Sequence, residues 1–495
     1  MKKRYKRSRR QKGTNDISFQ LTKMACEAMW NIWAIPVVWV FKRTMMIMRK
    51  PTLNSRSRLP IVENDRRQHT YLTGGTGTSK SEHIKELVHH YLTSDTKTAL
   101  VVIDPHGKLA REIARFNENQ SNGRLVYIKP DLVSSYAPTL NPLELKSHSD
   151  AAVTVQTEEV ISVFRELISA GDITTKFTLQ MENLLYPCIF TLIHMRNKNL
   201  LDLLNFMDPE KSSEYINYAL KNLKNPSHRD FFERVYSQPT YGPTRLAIST
   251  RLQSIFHSLP VSNFLIGKSS IDLDRCIENK SLIIVDLGDL GDISRQTIGR
   301  FVVATLQSYV RRRPQRGVPI HLFIDEAHQF ISTSMGRILK ESRKFGLHAT
   351  LAQQIYGEGM SPKMKEIVTG NTAVKIAARN SDKSLRAYAA DTGVELEALK
   401  NLRKFEYVAK SGDGSPVVYK LKPDTLGTRN SMPMRNWKSM LTKQIIAHYR
   451  DLSRKTRSVV IPTKGVETAR FNSTVSIRKK NPIEQLGRKP PTVNK

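Results

Sequence analysis

Two short stretches of this 495-residue chain carry residue types and spacings suited to phosphate chemistry. The first is Gly74-Gly75-Thr76-Gly77-Thr78-Ser79-Lys80-Ser81, close to the pattern G-x-x-x-x-G-K-[ST]. Such a loop aims successive backbone N–H groups at phosphate oxygens beside the positive end of a helix. Lys80 would reach the β- and γ-phosphates, and the Ser81 hydroxyl would hold Mg²⁺. Ser79 stands where the pattern has its last glycine. It either takes a backbone conformation that a side chain disfavours or lets the loop widen. The second stretch is Ile320-His-Leu-Phe-Ile-Asp-Glu-Ala-His328. Four strand-like residues there deliver Asp325 and Glu326 to a carboxyl end. Asp325 suits the Mg²⁺ partner of Ser81, and Glu326 a base that polarises attacking water. The bland alternative is that the pair caps the helix after it.

Three further positions end similar elements. Asp104-Pro-His-Gly107 either lines the same crevice or is a turn capped by Asp104. Gln354, in Leu351-Ala-Gln-Gln354, could orient water or sense a γ-phosphate. Arg343, in Glu341-Ser-Arg-Lys-Phe-Gly346, could complement a helix end or reach a neighbouring subunit's nucleotide.

These residues need strands to hold them, and the chain supplies continuous apolar runs like those of buried parallel strands. They are Ala99–Asp104, Ser281–Asp286, Ile320–Asp325, Ala349–Gln353 and Ala373–Ala378, after a short strand at His69–Thr73. Ser79–Thr93 has helical spacing. Asp150–Leu259 is helical in period throughout, as in Val155–Ile168 and Met181–His194, and reads as an all-helical insertion. A hairpin is expected at Glu406–Lys410 and Val417–Leu421, around Ser411-Gly-Asp-Gly.

Composition excludes several classes. Apolar residues make up 39% and charged residues 25%, which excludes wholesale disorder. The three cysteines have no C-x-x-C spacing, which excludes a disulfide framework or a cysteine zinc site. The net charge of +33 sits mainly at the ends: residues 1–68 carry 17 Lys+Arg against 4 Asp+Glu, and residues 435–495 carry 15 against 3. Basic ends are solubilising tails or contacts for phosphates of nucleic acid or anionic lipid. Met24–Phe41 holds Trp30, Trp33 and Trp39 and follows eight basic residues. As a helix it would be about 27 Å long, short for a hydrocarbon core of about 30 Å. The expectation is a segment lying in or dipping into an anionic membrane surface, with a full crossing and packing on the body or a partner as the alternatives.

The ordered blocks GGTGTSKS, VVIDPHGKLA, DLVSSYAPTLNPLE, SLIIVDLGDLG, HLFIDEAHQF, ESRKFGLHATLAQQ and GNTAVKIAARNSDKS resemble the HerA–FtsK superfamily of ring-forming ATPases. Within it they are most similar to coupling-protein-like ATPases of conjugative type IV secretion, the TraG/TraD class. The resemblance runs from about His69 to Pro423, with Ser79 its main departure. It implies an α/β fold: a RecA-like P-loop NTPase core with a mostly parallel sheet, an all-α domain inserted between Walker A and Walker B, and basic flexible termini. It implies ATP and Mg²⁺ as ligands, with Gly74–Ser81 the nucleotide loop and Ser81 and Asp325 the Mg²⁺ pair. Lys80, Glu326, the motif III glutamine Gln354 and the trans-acting arginine Arg343 would be catalytic.

The chain then divides into a basic tail (1–23), a Trp-rich membrane-associated segment (24–50) and a linker (51–68). The ATPase core follows in two parts (69–150 and 263–430), split by the all-α domain (151–262), with a basic, largely disordered tail at 431–495. The implied partners are DNA, a homohexamer, a relaxase complex, type IV secretion channel components and an anionic membrane. The implied location is bacterial: cytoplasmic, peripheral to or anchored at the inner face of the cell membrane. Three functions stay open. One is an ATP-driven DNA translocase of conjugation, another a genome-packaging or HerA-like DNA-processing motor, and the third a nucleotide-gated docking scaffold without sustained hydrolysis.

Overall fold

The run Ala-Leu-Val-Val-Ile-Asp at 99–104 shows how the molecule is layered. All six residues are buried. Because side chains alternate across a strand, Val101 and Ile103 enter one hydrophobic core and Leu100 and Val102 the other. A strand covered on both faces has no place for polar alternation, hence the continuous apolar runs. The computed structural model describes residues 52–53, 65 and 67–453, except 95–96, 146–148, 170–176, 314–316 and 422–429. The expected N-terminal tail, the Trp-rich segment, nearly all of the linker and residues 454–495 lie outside these. Among the described residues no helix is long and apolar enough to cross a membrane.

The strands are β1 (Thr52–Leu53), β2 (Thr70–Thr73), β3 (Ala99–Asp104), β4 (Leu125–Ile128), β5 (Tyr136–Ala137), β6 (Leu282–Asp286), β7 (Ile320–Ile324), β8 (Leu347–Gln353), β9 (Val374–Ala378), β10 (Glu406–Ser411), β11 (Val417–Leu421) and β12 (Arg450–Asp451). Ten of them form one sheet in the order β1-β11-β10-β9-β2-β8-β7-β3-β6-β4, and β5 pairs with β12 alone. From β9 to β4 every neighbouring pair is parallel. The hairpin β10–β11 adds an antiparallel edge, on which β1 lies parallel to β11. Helices α1 (Lys80–Thr93) and α2 (Lys108–Ala114) cover one face through Ile84, Leu87, Leu109 and Ile113.

The segment between β5 and β6 contains helices and no strand among its described residues, beginning with α3 (Asp150–Ser169) and α4 (Leu179–Met195). It is inserted between Lys80 and Asp325, and its core runs on into that of the sheet's second face. Helix α5 (Asp292–Arg312) joins the two, packing along α3 while Phe301 and Val303 line the shared core. The fold is thus α/β, with an all-α insertion in a mostly parallel sheet.

One expectation needs correction. The basic tail drawn from residue 431 does not begin there: Met434–His448 forms a helix, α6, against β4. Trp437, Leu441 and Ile445 are buried, four residues apart on one face. Each such burial contributes about 1.5–3 kcal/mol, so the basic residues between them ride on a packed helix. The contact also closes the sheet's edge. Gln444 accepts from Tyr127 N and donates to Leu125 O, both at 2.9 Å, and Tyr449 Oη accepts from Lys129 N at 2.9 Å and donates to Tyr127 O at 3.0 Å.

Candidate nucleotide site

Parallel strands send their carboxyl ends to one rim of the sheet, the usual place for ligands in open α/β sheets. Here β2 delivers Gly74–Ser81, β7 delivers Asp325 and Glu326, and β8 delivers Gln354. Strand β8 lies between β2 and β7, so Gln354 emerges between the loop and the two carboxylates.

The loop has little spare space. A Cβ on Gly74 would lie 2.6 Å from Thr78 Oγ1 and 2.9 Å from the Ala378 Cβ. Thr78 Oγ1 donates to Gly75 O at 2.6 Å, and Gly75 N donates to Arg379 O at 2.9 Å. Ser79 has φ 79° and ψ 28°, the left-handed conformation that glycine takes at less cost. Of the two outcomes open for this serine, the structure thus shows the first. Lys80 is buried and donates to Gly74 O at 2.8 Å, while its Nζ lies 3.8 Å from Glu326 Oε1. Ser81 Oγ donates to Asp325 Oδ2 at 3.4 Å.

Glu326 is also left-handed, at φ 45° and ψ 53°. Its N–H donates to Asp325 Oδ1 at 3.0 Å, and its Oε1 accepts from Gln354 Nε2 at 2.9 Å. Strained non-glycine backbone of this kind concentrates at functional sites. The other oxygen, Oε2, is buried without a hydrogen-bond partner, with His328 Nδ1 3.6 Å away. Gln354 Oε1 accepts from Thr76 Oγ1 at 3.1 Å. Burial, with the negative charges of Asp104 and Glu326, pushes Asp325 up to about 7 against the opposing pull of Lys80. A rim crowded with carboxylates favours a bound cation. Among the described residues no group of three or more His, Cys, Asp or Glu could hold a metal by itself. One hydroxyl and one carboxylate, completed by phosphate oxygens and water, is nevertheless a donor set that Mg²⁺ accepts.

Asp104 does both things open to it: its charge reaches Asp325, and it caps a turn. Its oxygens accept from His106 N and Ala110 N, both at 2.8 Å, so it caps the turn into α2. Arg343 is exposed and precedes the amino end of β8. Seven strand residues, about 23 Å at 3.3 Å each, separate it from Gln354. Its charge is felt instead by His69, which precedes β2 at the same far end. Arg343 therefore stands apart from the Gly74–Ser81 loop of the same chain.

Some contributors escape sequence reasoning. Asn380 donates to Gln354 O at 2.6 Å and to Thr73 Oγ1 at 3.3 Å, tying β9 to the site. A cleft of about 370 Å³ opens beside the loop, walled by Gly75–Thr78, Arg379–Ser381 and Lys404. The block GNTAVKIAARNSDKS was the available signal for Arg379 and Asn380; Lys404 had none. A larger cleft of about 1200 Å³, between Leu140–Leu145 and Lys268–Asp274, includes none of these site residues.

The type IV secretion-system coupling protein DNA-binding domain family matches residues 54–397. Among solved structures, the bacterial conjugative coupling protein TrwBdeltaN70 in its unbound monoclinic form is similar at 13% identity and TM-score 0.57, covering 78% of this chain and 90% of that one. The plasmid coupling protein TrwB with the non-hydrolysable ATP analogue ADPNP is similar at 15% identity and TM-score 0.56, covering 78% and 91%. TrwB with ADP and Mg²⁺ is similar at 14% identity and TM-score 0.53, covering 76% and 92%. No curated protein sequence matches. At these identities the structural likeness speaks to the fold: a RecA-like NTPase core with an all-α domain. The family match spans well over half of the sequence, and the chain belongs to the type IV secretion-system coupling protein DNA-binding domain family.

Proposed function

We propose that this protein is the coupling ATPase of conjugative DNA transfer, a homohexameric ring that hydrolyses ATP to move DNA through a central channel. The observation that carries the reading is the convergence of Lys80, Ser81–Asp325 and Glu326–Gln354 on one rim of the sheet, in a chain of the coupling-protein family. TrwB binds ADPNP, and ADP with Mg²⁺, on a similar fold, which supports ATP and Mg²⁺ as the ligands here.

In this reading the N–H groups of Gly77 and Ser79–Ser81 would cradle the β- and γ-phosphates, Gly75 N and Thr78 N being held by Arg379 O and Gly75 O. Lys80 exchanges Gly74 O for phosphate oxygen. Ser81 and Asp325 hold Mg²⁺, which when bound neutralises charge on the phosphates. Glu326 Oε2, the carboxylate oxygen without a hydrogen-bond partner, polarises the attacking water. Gln354 holds Oε1, so that Oε2 faces the reacting centre. Arg343 serves a neighbouring subunit's nucleotide. DNA, sister subunits, a relaxase complex and the secretion channel are the partners, and Met24–Phe41 anchors the ring at an anionic membrane surface. Flotation of the full chain with anionic vesicles at high salt, set against a chain beginning at Pro51, tests the anchor.

The test of the whole is ATP turnover by the purified protein with and without DNA, beside Glu326→Gln. DNA should stimulate the parent, and Glu326→Gln should retain ATP without hydrolysing it. Turnover indifferent to DNA would overturn the translocase. Rapid turnover by Glu326→Gln would overturn the assignment of the base.

A further inference from the structure

Ser79 is the weak point of the phosphate loop. Holding its left-handed backbone costs a side-chain-bearing residue more than glycine, and its hydroxyl makes no capping hydrogen bond. The compensation comes from a distant part of the chain. Ser79 O accepts from His83 N at 3.1 Å, as a helix start requires, and also from Tyr407 Oη at 2.7 Å. Tyr407 lies on β10, in the hairpin beyond the end of the family match at residue 397.

We propose that Tyr407 is a positioning residue for nucleotide binding: its hydroxyl fixes the Ser79 carbonyl and so holds the left-handed geometry that aims the loop's N–H groups at phosphate. The proposal rests on the reading of Gly74–Ser81 as the nucleotide loop.

The surroundings leave Tyr407 little freedom. Its side chain is fully buried. The ring stacks on Tyr419, with centroids 5.4 Å apart at 21°, and meets His83 edge-on at 5.0 Å. Tyr419 Oη in turn lies 2.5 Å from His83 Nε2. One residue of β11 and one of α1, themselves joined, thus clamp the phenol. Backbone register does the rest: Tyr407 pairs with Ala378 of β9, the residue whose Cβ limits the space at Gly74. Burial, with the negative charge of Glu82, pushes the phenol pKa upward, so the hydroxyl remains a donor at physiological pH. Tyr407 touches no phosphate in this arrangement. It acts through Ser79, and a glycine at 79 would not need it.

That dependence gives the experiment. ATP affinity and steady-state KM are measured on the full chain, Tyr407→Phe, Ser79→Gly and the double variant. Phenylalanine keeps the ring packing and removes only the hydroxyl. Losing one neutral hydrogen bond should raise Kd and KM about threefold to tenfold, with kcat at saturation within about twofold. In the Ser79→Gly background the same substitution should change Kd less than about twofold. An equal loss in both backgrounds would make the hydroxyl a general support of the fold and overturn the proposal. So would an unchanged Kd in Tyr407→Phe, whatever happens to its melting temperature. If the parent itself binds no ATP, the nucleotide-loop reading falls first and takes this inference with it.

Discussion

Gln354 Nε2 donates to Glu326 Oε1 at 2.9 Å, and the carbonyl end of the same carboxamide accepts from Thr76 Oγ1 at 3.1 Å. One side chain therefore links the phosphate loop to the proposed base, and a phosphate entering the loop would displace or tighten one end of that link. Gln354→Ala is expected to lower kcat about 100-fold, the scale of losing one preorganised donor. ATP affinity should change far less. Gln354→Glu should be at least as damaging, because it puts a third negative charge beside Asp325 and Glu326. Steady-state kinetics with a parallel binding titration checks both, and a KM effect without a kcat effect would count against the role.

Lys80→Ala should abolish turnover while weakening binding less, because the loop's N–H groups remain. Its ammonium now satisfies Gly74 O, which loses that partner in the variant. Turnover at the parent rate would refute the assignment of the loop.

For Arg343 the expectation follows from its place at the far end of β8. Arg343→Ala should bind ATP almost normally, yet lose about 10³-fold or more in turnover if the guanidinium serves a neighbour's γ-phosphate. Mixed rings decide it. Arg343→Ala subunits combined with Lys80→Ala subunits should regain activity, because some interfaces then join an intact arginine to an intact loop. Absence of rescue at every mixing ratio, in rings shown to assemble, makes Arg343 structural.

The sequence was most legible where burial is two-sided. The runs Ala-Leu-Val-Val-Ile at 99–103 and Leu-Ile-Ile-Val at 282–285 are continuously apolar and buried, and needed no context to be seen as strands. The hairpin around Ser411–Gly414 was visible from its turn residues. Strand β4 was not seen: Leu-Val-Tyr-Ile is four residues long and sits at the edge of the sheet. The helix at 434–448 was hidden by composition, because Arg435 precedes the buried Trp437, and Lys438 and Lys443 lie between it, Leu441 and Ile445. At the candidate site, Lys80, Ser81, Asp325 and Glu326 are proposed from local spacing, and the fold brings them to one rim. Asn380 had a signal only in the block GNTAVKIAARNSDKS, and Tyr407 had none, because it acts on a residue far away in sequence. For Arg343 only the sheet shows its place, at the end of β8 away from the Gly74–Ser81 loop of the same chain.

DNA binding should be indifferent to base sequence and steeply salt-dependent, as counterion release requires. Ending the chain at Ser453 removes a strongly basic stretch while leaving α6 intact. The slope of log affinity against log salt should become shallower, and basal ATPase should be unchanged. Preference for one particular base sequence would contradict a motor that tracks the backbone.

Gln444 and Tyr449 occupy the hydrogen-bonding positions that an eleventh strand would take beside β4. A bare edge of this kind is a template for a stranger's backbone. A chain ended before Met434 would lose both side chains and the cover of Trp437, leaving Leu125–Ile128 open to zip onto copies of itself. A chain ended at Ser453 keeps its shield. The short helix amid the positive charge is thus a guard against self-association, and solubility should collapse between those two truncations, well before any question of nucleotide or DNA arises.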